Sequence, residues 1–255
     1  MTVITVFNQK GGVGKTTTSL NLAAALARDR RRPLLIDLDP QAHLTYITGV
    51  AVASSDASIF SFYQKTHQLA ELIQSAGKVG RLIPSHLDLA KADTLFGKGY
   101  NVVTRLAAGL RAEAIEQDDA PIVIDCCPML GVLSLNALFA CDFVIIPIST
   151  DFLSLNGAQQ VEKTLKALER VLKRRLPRRY LLTRYDRRRK MTRDILAQAQ
   201  AKFGEDLCAT TIAENVSIAE SPSLHKDIFE HAPASRGAQD YRALLEELSH
   251  SGLVH

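Results

Sequence analysis

The segment from Val3 to Thr17, VITVFNQKGGVGKTT, constrains the fold of this chain more than any other segment. A short apolar run is followed by a glycine-rich loop and then by the good helix formers SLNLAAALA. This order predicts a buried strand, a loop and a helix. Glycines let backbone N–H groups turn inward, and the N-terminus of a helix adds partial positive charge. The segment therefore predicts a loop that binds phosphate groups.

The individual residues of this loop suggest separate roles. Lys15 can reach the β- and γ-phosphates of a nucleotide, and the Thr16 hydroxyl can ligate Mg²⁺. We expect Thr17 to contact the α-phosphate. A dinucleotide-binding G-x-G-x-x-G motif is excluded because Thr17 occupies the position of its third glycine. The predicted nucleotide-binding residues are Lys10, Gly11, Gly12, Val13, Gly14, Lys15, Thr16 and Thr17.

Acidic residues follow two other predicted strands. Asp37 and Asp39 come after the apolar residues 34–36, and Asp125 comes after the apolar residues 122–124. The carboxyl ends of parallel strands face the ligand-binding crevice of an open sheet. Acids beside a phosphate loop are candidate Mg²⁺ ligands or water-orienting residues. The second pattern is of the Walker B type, in which Asp125 can hold Mg²⁺ through a water.

Predicted strands alternate with predicted helices along the chain, which indicates an α/β fold with a doubly wound, mainly parallel sheet flanked by helices. We expect residues 1–255 to form a single domain, a size that is ordinary for this class. Helices are predicted over residues 68–78, 103–117 and about 155–175. Residues 40–78 are otherwise irregular, with short helices and a loop expected.

Composition excludes several classes of protein. There is no uninterrupted apolar run of about 18 residues, which a membrane span would need. The chain begins directly with a strand pattern, so we expect no signal peptide. Its cysteines lack the C-x-x-C spacing of metal sites, and we expect reduced, buried thiols in a cytoplasmic protein. These cysteines are Cys126, Cys127, Cys141 and Cys208.

The phosphate loop resembles the deviant Walker A motif, KGGxGK[ST], of the ParA/MinD family of P-loop ATPases. An ordinary P-loop has a glycine where this chain has Gln9, and Lys10 precedes the Gly-Gly pair. The resemblance implies an ATPase that uses ATP and Mg²⁺, with hydrolysis that is slow and stimulated by a partner. It also implies that Lys10 reaches the phosphates of the partner in a face-to-face homodimer held together by ATP. The run DLDPQ looks like the family's second signature, by which Asp39 would help to place the attacking water and Asp37 would support the Mg²⁺ shell.

The chain departs from the family pattern at two places. The family usually has Cys-Pro-Pro after the Walker B acid, and here Cys127 replaces the first proline. The segment CATTIAENVSIAESPS resembles the family's TxIPRNVRLSEAPS element, whose arginines are implicated in DNA contact. Ala213, Glu214 and Ser217 replace its proline and both arginines. These replacements leave the adenine contact open and shift the predicted DNA affinity to another part of the chain.

That other part is a basic tract over residues 173–193, which contains eleven Lys or Arg residues against the single acid Asp186. The net charge of the whole chain is only +4. A local positive field attracts polyanions, and the scarcity of aromatic residues favours phosphate contacts over base stacking. Non-specific DNA binding is the functional interpretation, while a solvated basic face and an acidic protein partner stay open. The predicted DNA contacts are Arg184, Arg187, Arg188, Arg189, Lys190 and Arg193.

The resemblance implies a nucleoid-associated ATPase that positions or segregates a cargo, with a ParB-like protein or another adaptor stimulating hydrolysis. A chromosome or plasmid partition complex is the expected cargo, and a chemoreceptor cluster or another large assembly is the alternative. A MinD-like membrane-associated regulator would need a basic amphipathic C-terminal helix, whereas the end reads EELSHSGLVH. We therefore expect no stable membrane association. An iron–sulfur reductase of the nitrogenase-iron-protein type fits poorly, because Cys126 and Cys127 are adjacent.

Overall fold

The computed structural model describes residues 2–97, 99–113, 115 and 120–254. Its strands form one sheet in the order β3-β4-β2-β5-β1-β6-β7-β8, in which β3 alone runs antiparallel to its neighbour. The strands are β1 (Val3–Val6), β2 (Leu34–Leu38), β3 (Gln74–Ser75), β4 (Arg81–Ile83), β5 (Ile122–Cys126), β6 (Phe143–Ser149), β7 (Arg178–Tyr185) and β8 (Leu207–Ala213). The predicted α/β class with a mainly parallel sheet is confirmed.

Helices cover both faces of this sheet. They are α1 (Lys15–Arg28), α2 (His43–Ile47), α3 (Ile59–Gln64), α4 (Ala92–Leu95), α5 (Tyr100–Val103), α6 (Arg105–Ala112), α7 (Val132–Ala140), α8 (Phe152–Leu172), α9 (Lys190–Phe203), α10 (Val216–Glu220), α11 (Ile228–His231) and α12 (Arg236–His250). None of the helices described is long and apolar enough to cross a membrane.

The central strands are apolar on both sides because each side packs against helices. Successive side chains of a strand point to opposite faces. Ile36 and Ile124 accordingly belong to the core on one face, whereas their neighbours Leu35 and Val123 belong to the core on the other. Apolar runs without polar alternation are thus what this architecture requires.

The parallel register brings the ends of the central strands together. Asp37 of β2 lies opposite Asp125 of β5, and Val6, at the end of β1, lies opposite Asp125 on the other side. The loop after β1 and both acids therefore share one edge of the sheet.

The prediction of a helix over residues 68–78 is wrong. The structure has short 3₁₀ turns at Ala70–Leu72 and Gly77–Val79, with β3 between them. β3 pairs with β4 through a tight connection, in which the Ala76 N–H donates to the Gly80 carbonyl at 2.9 Å. Glycines with positive φ outweigh the helical pattern, since Gly77 has φ 60° and Gly80 has φ 125°.

Two other predicted helices have shifted bounds. The helix predicted over residues 103–117 is divided into α5 and α6, and residues 114 and 116–117 of it lie outside the described residues. The long helix starts at Phe152 rather than near residue 155 and ends at Leu172 rather than near residue 175. It starts early because the Asp151 carboxylate accepts hydrogen bonds from the Leu153 and Ser154 N–H groups, both at 3.1 Å.

Gly80 provides a test of the β3–β4 connection. A Cβ atom at this position would lie 2.4 Å from the Pro33 carbonyl oxygen, on a backbone that side chains rarely adopt. We expect Gly80→Ala to lower the free energy of unfolding by about 3 kcal/mol, measured by urea denaturation. Gly49 has φ 72° but open space around it, so Gly49→Ala should cost only about 1 kcal/mol. Equal losses in the two variants would contradict the proposed clash.

Candidate nucleotide-binding site

The loop between β1 and α1 has the geometry of a phosphate cradle. Gly12 and Gly14 adopt φ values of 74° and 89°, in the left-handed region that favours glycine. Val13 is buried between them, and its carbonyl accepts a hydrogen bond from the Thr183 hydroxyl at 2.9 Å. The N-cap residue of α1 is Gly14, which has no side chain to cap the helix, and the first turn of α1 has no acid. The N–H groups of this helix end are therefore available to an anion.

Lys15 lies beneath this loop. Its side chain is almost buried, and its ammonium group donates to the Lys10 carbonyl at 3.0 Å. Burial lowers the pKa of Lys15, while the nearby Asp125 and Asp39 carboxylates raise it. A desolvated cation held at the cradle interacts strongly with phosphate oxygens.

Asp125 has the environment of a cation ligand. The residue is fully buried, and its Oδ1 accepts a hydrogen bond from the Ser19 hydroxyl at 3.0 Å. Its Oδ2 is buried without a hydrogen-bond partner among the described residues. Burial, with Asp37 close by, raises the pKa of Asp125, although a hydrogen bond from the Thr16 hydroxyl lowers it.

These groups fit Mg²⁺, which prefers oxygen ligands and retains several of its waters. The orphaned Asp125 oxygen and the neighbouring Thr16 hydroxyl would hold the ion directly or through water. When bound, Mg²⁺ neutralises charge on the phosphates of the nucleotide.

Asp37 differs from Asp125 because both of its oxygens already have partners. Its Oδ1 accepts from the Asp39 N–H at 3.0 Å, and its Oδ2 accepts from the Thr45 N–H at 2.9 Å and the Thr45 hydroxyl at 2.7 Å. Burial raises the pKa of Asp37, and these hydrogen bonds lower it. Asp37 therefore fastens the loop after β2 to α2. Its role in the Mg²⁺ shell stays a prediction.

Asp39 faces the cleft beside the cradle. Its Oδ1 accepts a hydrogen bond from the Gln41 N–H at 2.9 Å, which fixes the carboxylate in a tight turn. The Ser85 hydroxyl donates to the Asp39 carbonyl at 2.6 Å and holds the same turn from below. Its Oδ2 accepts no hydrogen bond from the residues that the structure describes. This oxygen is free to orient a water.

The cleft has a volume of about 770 Å³ and extends from the cradle to the segment after β8. Its far wall includes Ala213, Asn215 and Val216, and Tyr241 of α12 also lines it. The Ala213 N–H donates to Asp240 Oδ2 at 2.9 Å, so α12 positions this wall. The contributions of Thr183 and Tyr241 were not predicted. No sequence motif marks these residues, which come from β7 and α12.

Lys10 follows a different path from Lys15. Its ammonium group donates to Asp151 Oδ1 at 2.5 Å and to the Ser154 hydroxyl at 2.7 Å. Burial would raise the pKa of Asp151, but hydrogen bonds from Lys10, Ser149 and Ser154 outweigh this and hold the pKa well below its ordinary value. Lys10 is thus paired at the N-terminus of α8. The two lysines do not duplicate each other.

The basic tract is not one continuous surface, which corrects the prediction of a single field over residues 173–193. β7, about 26 Å long at ~3.3 Å per residue, separates its two parts. At the amino end of β7, Arg178 is buried between Glu162 and Glu169, and Arg175 and Arg179 pair with Asp206. The second part, which we call the basic group, lies at the carboxyl end, on the same side of the sheet as the cleft. It consists of Arg184, Arg187, Arg188, Arg189, Lys190 and Arg193.

The cysteines are free and buried, as expected. Burial raises the pKa of each thiol, that of Cys127 to about 11, and this keeps the thiols protonated. The Cys127 thiol donates to the Met129 carbonyl at 3.7 Å and holds the turn where the family pattern has a proline.

The strand, glycine loop and helix, with acids on the neighbouring strands, define a P-loop nucleoside triphosphatase. A family model described as an AAA domain matches residues 1–177. The sporulation initiation inhibitor protein Soj of Bacillus subtilis is 35% identical over 98% of this chain and 99% of its own length. The chromosome-partitioning ATPase Soj of Thermus thermophilus is 38% identical over 96% of this chain and 94% of its own length. The chain belongs to the ParA/MinD family of P-loop ATPases.

Solved structures agree with this assignment. Cobyrinic acid a,c-diamide synthase from Mycobacterium smegmatis, solved with bound ADP and magnesium, superposes with a TM-score of 0.84 at 29% identity over 99% of this chain and 96% of that one. The septum site-determining protein MinD from Pyrococcus horikoshii, solved with Mg-ADP, has the same fold, with a TM-score of 0.79 at 23% identity over 98% and 97% of the two chains. The present protein is an ATPase that uses ATP and Mg²⁺.

The buried acids predict a pH dependence of stability. Because the native pKa of Asp125 is raised, the native state keeps a proton that the unfolded state loses above about pH 4, where a free Asp titrates. Without Mg²⁺ and nucleotide, the free energy of unfolding should therefore fall as the pH rises from 4 towards the raised pKa. Asp125→Asn should flatten this dependence, measured by urea denaturation at a series of pH values.

The exposed Asp56 serves as the control, and Asp56→Asn should keep the wild-type slope. Asp125→Asn should also weaken Mg²⁺-dependent nucleotide binding at least tenfold, measured by isothermal titration calorimetry. An unchanged pH slope in Asp125→Asn would contradict the assignment of the titrating group.

Proposed function

We propose that this protein is an ATP-driven switch that dimerises through its nucleotide-binding edge, binds DNA non-specifically and segregates or positions a cargo. The observation that carries the proposal is that the Lys10 side chain is paired at the N-terminus of α8, whereas the Lys15 side chain stays at the cradle. The Lys10 ammonium group donates to Asp151 and Ser154, and the Lys15 ammonium group donates to the Lys10 carbonyl. In the proposed dimer, Lys10 extends from this position to a nucleotide bound by the second copy.

Exposed apolar side chains on neighbouring loops also support the proposal that the nucleotide-binding edge is the dimer interface. The strands β5, β1 and β6 are adjacent, so their following loops emerge side by side. Lys10 follows β1, the exposed Met129 and Leu130 follow β5, and the exposed Leu153 follows β6. Large apolar side chains grouped in this way are typical of a surface that a protein partner covers.

Hydrolysis would then depend on both copies. In each site, the loop N–H groups and Lys15 bind the phosphates, and Asp39 orients the attacking water. Lys10 of the second copy would stabilise the charge that develops on the phosphates, as an arginine finger does. ATP would hold the two copies together, and its hydrolysis would release them.

DNA is the proposed partner of the basic group. Arg187 and Lys190 are exposed and have no acidic partner among the described residues, and Arg184 lines the cleft. A dimer would present two such groups, which suits contacts to DNA phosphates and a position on the nucleoid.

The names of the relatives support a role of this protein in the partitioning of DNA. The present chain shares 34% identity, over 96% of its length, with the chromosome partitioning protein ParA of Myxococcus xanthus, and the Soj protein of Thermus thermophilus is named a chromosome-partitioning ATPase. We propose a chromosome or plasmid partition complex as the cargo, with a ParB-like protein or another adaptor that stimulates slow hydrolysis. The apolar face of α12 packs inside the fold against α1 and β8. It therefore does not favour a membrane-binding role.

Mixing two inactive variants tests whether Lys10 acts on the partner's nucleotide. Lys10→Ala and Asp39→Ala should each abolish hydrolysis alone. In a mixed dimer, the Lys10→Ala copy keeps its own Asp39 and receives Lys10 from the Asp39→Ala copy, so one of two sites is complete. An equimolar mixture should recover up to about a quarter of the wild-type rate, measured by phosphate release.

Lys163→Ala, which changes an exposed lysine of α8, should keep the wild-type rate and controls for loss of charge. If Lys10 acts within its own chain, the mixture has no complete site. A mixture as inactive as its components, despite dimers detected by light scattering, would therefore refute the proposed role.

The salt dependence of DNA binding tests the basic group. If a dimer neutralises six phosphates or more, affinity should fall about 10³-fold between 50 and 200 mM salt. The double variant Arg187→Ala/Lys190→Ala should bind more weakly and with a shallower salt slope, measured by fluorescence anisotropy with an ATP analogue. The matched control, Arg170→Ala/Lys173→Ala, removes two exposed cations near the amino end of β7 and should bind like wild type. Equal losses in both double variants would point to general electrostatics instead.

A further inference from the structure

Arg189 differs from its neighbours in the basic group because acids from two elements hold it. Its Nε lies 3.4 Å from Asp186 Oδ2, and its Nη2 lies 3.1 Å from Glu214 Oε2. Asp186 also binds Arg188, with two contacts of 3.0 Å to the guanidinium. Arg187 and Lys190, in contrast, have no ion pair among the described residues.

Glu214 approaches Arg189 from the wall of the nucleotide cleft. It directly follows β8, its N–H donates to the Tyr185 carbonyl at 3.1 Å, and it lines the cleft together with Ala213 and Asn215. Its backbone position is thus fixed by the β7–β8 pairing. The acid is held beside the basic group by the sheet itself, whereas Asp186 belongs to the turn that leads into α9.

We infer that Glu214 is a built-in restraint on DNA binding, which holds Arg189 away from DNA phosphates and lowers the affinity of the basic group. The inference rests on the proposed DNA-binding function. A phosphate that contacts Arg189 must displace the Glu214 carboxylate or accept its negative charge at close range. Either route costs free energy that Arg187 and Lys190 do not require.

The size of the effect follows from counterion release. Each additional phosphate neutralised steepens the slope of log affinity against log salt by about 0.9. At 100 mM salt, this corresponds to roughly an 8-fold gain for each arginine released. A symmetric dimer releases two, so the slope should steepen by about 1.8 when both contact DNA.

A second explanation is that the ion pair only braces α9 against the end of β8. Loss of the pair would then lower the stability of the fold and leave the salt slope of DNA binding unchanged. Exposed ion pairs contribute little to stability, and the side chains of Arg189 and Glu214 are 58% and 42% exposed. The salt slope therefore separates the two explanations.

The test compares Glu214→Gln with the wild type by fluorescence anisotropy on a random-sequence DNA duplex, between 50 and 200 mM KCl. A saturating non-hydrolysable ATP analogue and Mg²⁺ are present, and light scattering establishes the dimer fraction of each protein. Glu214→Gln should bind at least roughly 8-fold more tightly at 100 mM salt, with a slope steeper by about 1 to 2. Adding Arg189→Gln to this variant should remove the gain.

Glu220→Gln is the matched control, because it removes the same charge from α10, where Glu220 contacts His231 rather than the basic group. An equal gain in this control, or wild-type affinity and slope in Glu214→Gln, would overturn the inference while leaving DNA binding itself intact. Binding by Glu214→Gln alone, with none by the wild type, would support the restraint in its strongest form. Failure of both proteins to bind at 50 mM salt would overturn the proposed DNA function, and the inference with it.

Discussion

Two carboxylates buried side by side are the constraint on which the site depends. The β2–β5 register sets Asp37 opposite Asp125, and neither residue is exposed to solvent. Desolvation makes two such charges costly unless each has compensating partners. Asp37 is compensated by three hydrogen bonds from the protein, whereas Asp125 keeps one oxygen without a partner among the described residues. The unpartnered Asp125 oxygen therefore favours the binding of a cation next to the phosphate cradle.

The paired acids link the predicted Mg²⁺ position to the loop that forms part of the nucleotide cleft. Asp37 ties the loop after β2 to α2, and the same loop carries Asp39 into the cleft. A change of charge at Asp125 therefore acts close to Asp39, which lines the cleft. Lys15 lies close to Asp125 and Asp39 and balances part of their charge.

Much of this edge could be predicted from the sequence, because the glycine loop and the acids are marked by local motifs. A parallel sheet then brings strand ends together without further information, and this is why the cradle, Asp39 and Asp125 share one edge of the sheet. Contacts over long sequence separations carry no such mark. The pairing of Lys10 with Asp151, and the place of Tyr241 in the cleft, depend on how β6, α8 and α12 pack.

Two predictions from neighbouring residues were wrong. In one case a strand separates the residues, and in the other the backbone conformation of glycines determines the structure. Arg178 and Arg187 are nine positions apart, yet β7 carries one into a buried ion-pair network and the other to the exposed carboxyl edge. The segment around Gly77 and Gly80 has apolar spacing typical of a helix, but its positive φ values produce a hairpin. Neither outcome follows from residue type alone.

The Asp151 carboxylate has two roles. It binds the Lys10 ammonium group, and it accepts hydrogen bonds from N–H groups in the first turn of α8. If Lys10 swings away towards a second molecule, the carboxylate still has those N–H groups and the Ser149 and Ser154 hydroxyls as donors. The N-terminus of the 21-residue helix α8 therefore keeps its cap when Lys10 moves away. In the proposed dimer, Lys10 would therefore leave and return without any change in the structure at the start of α8.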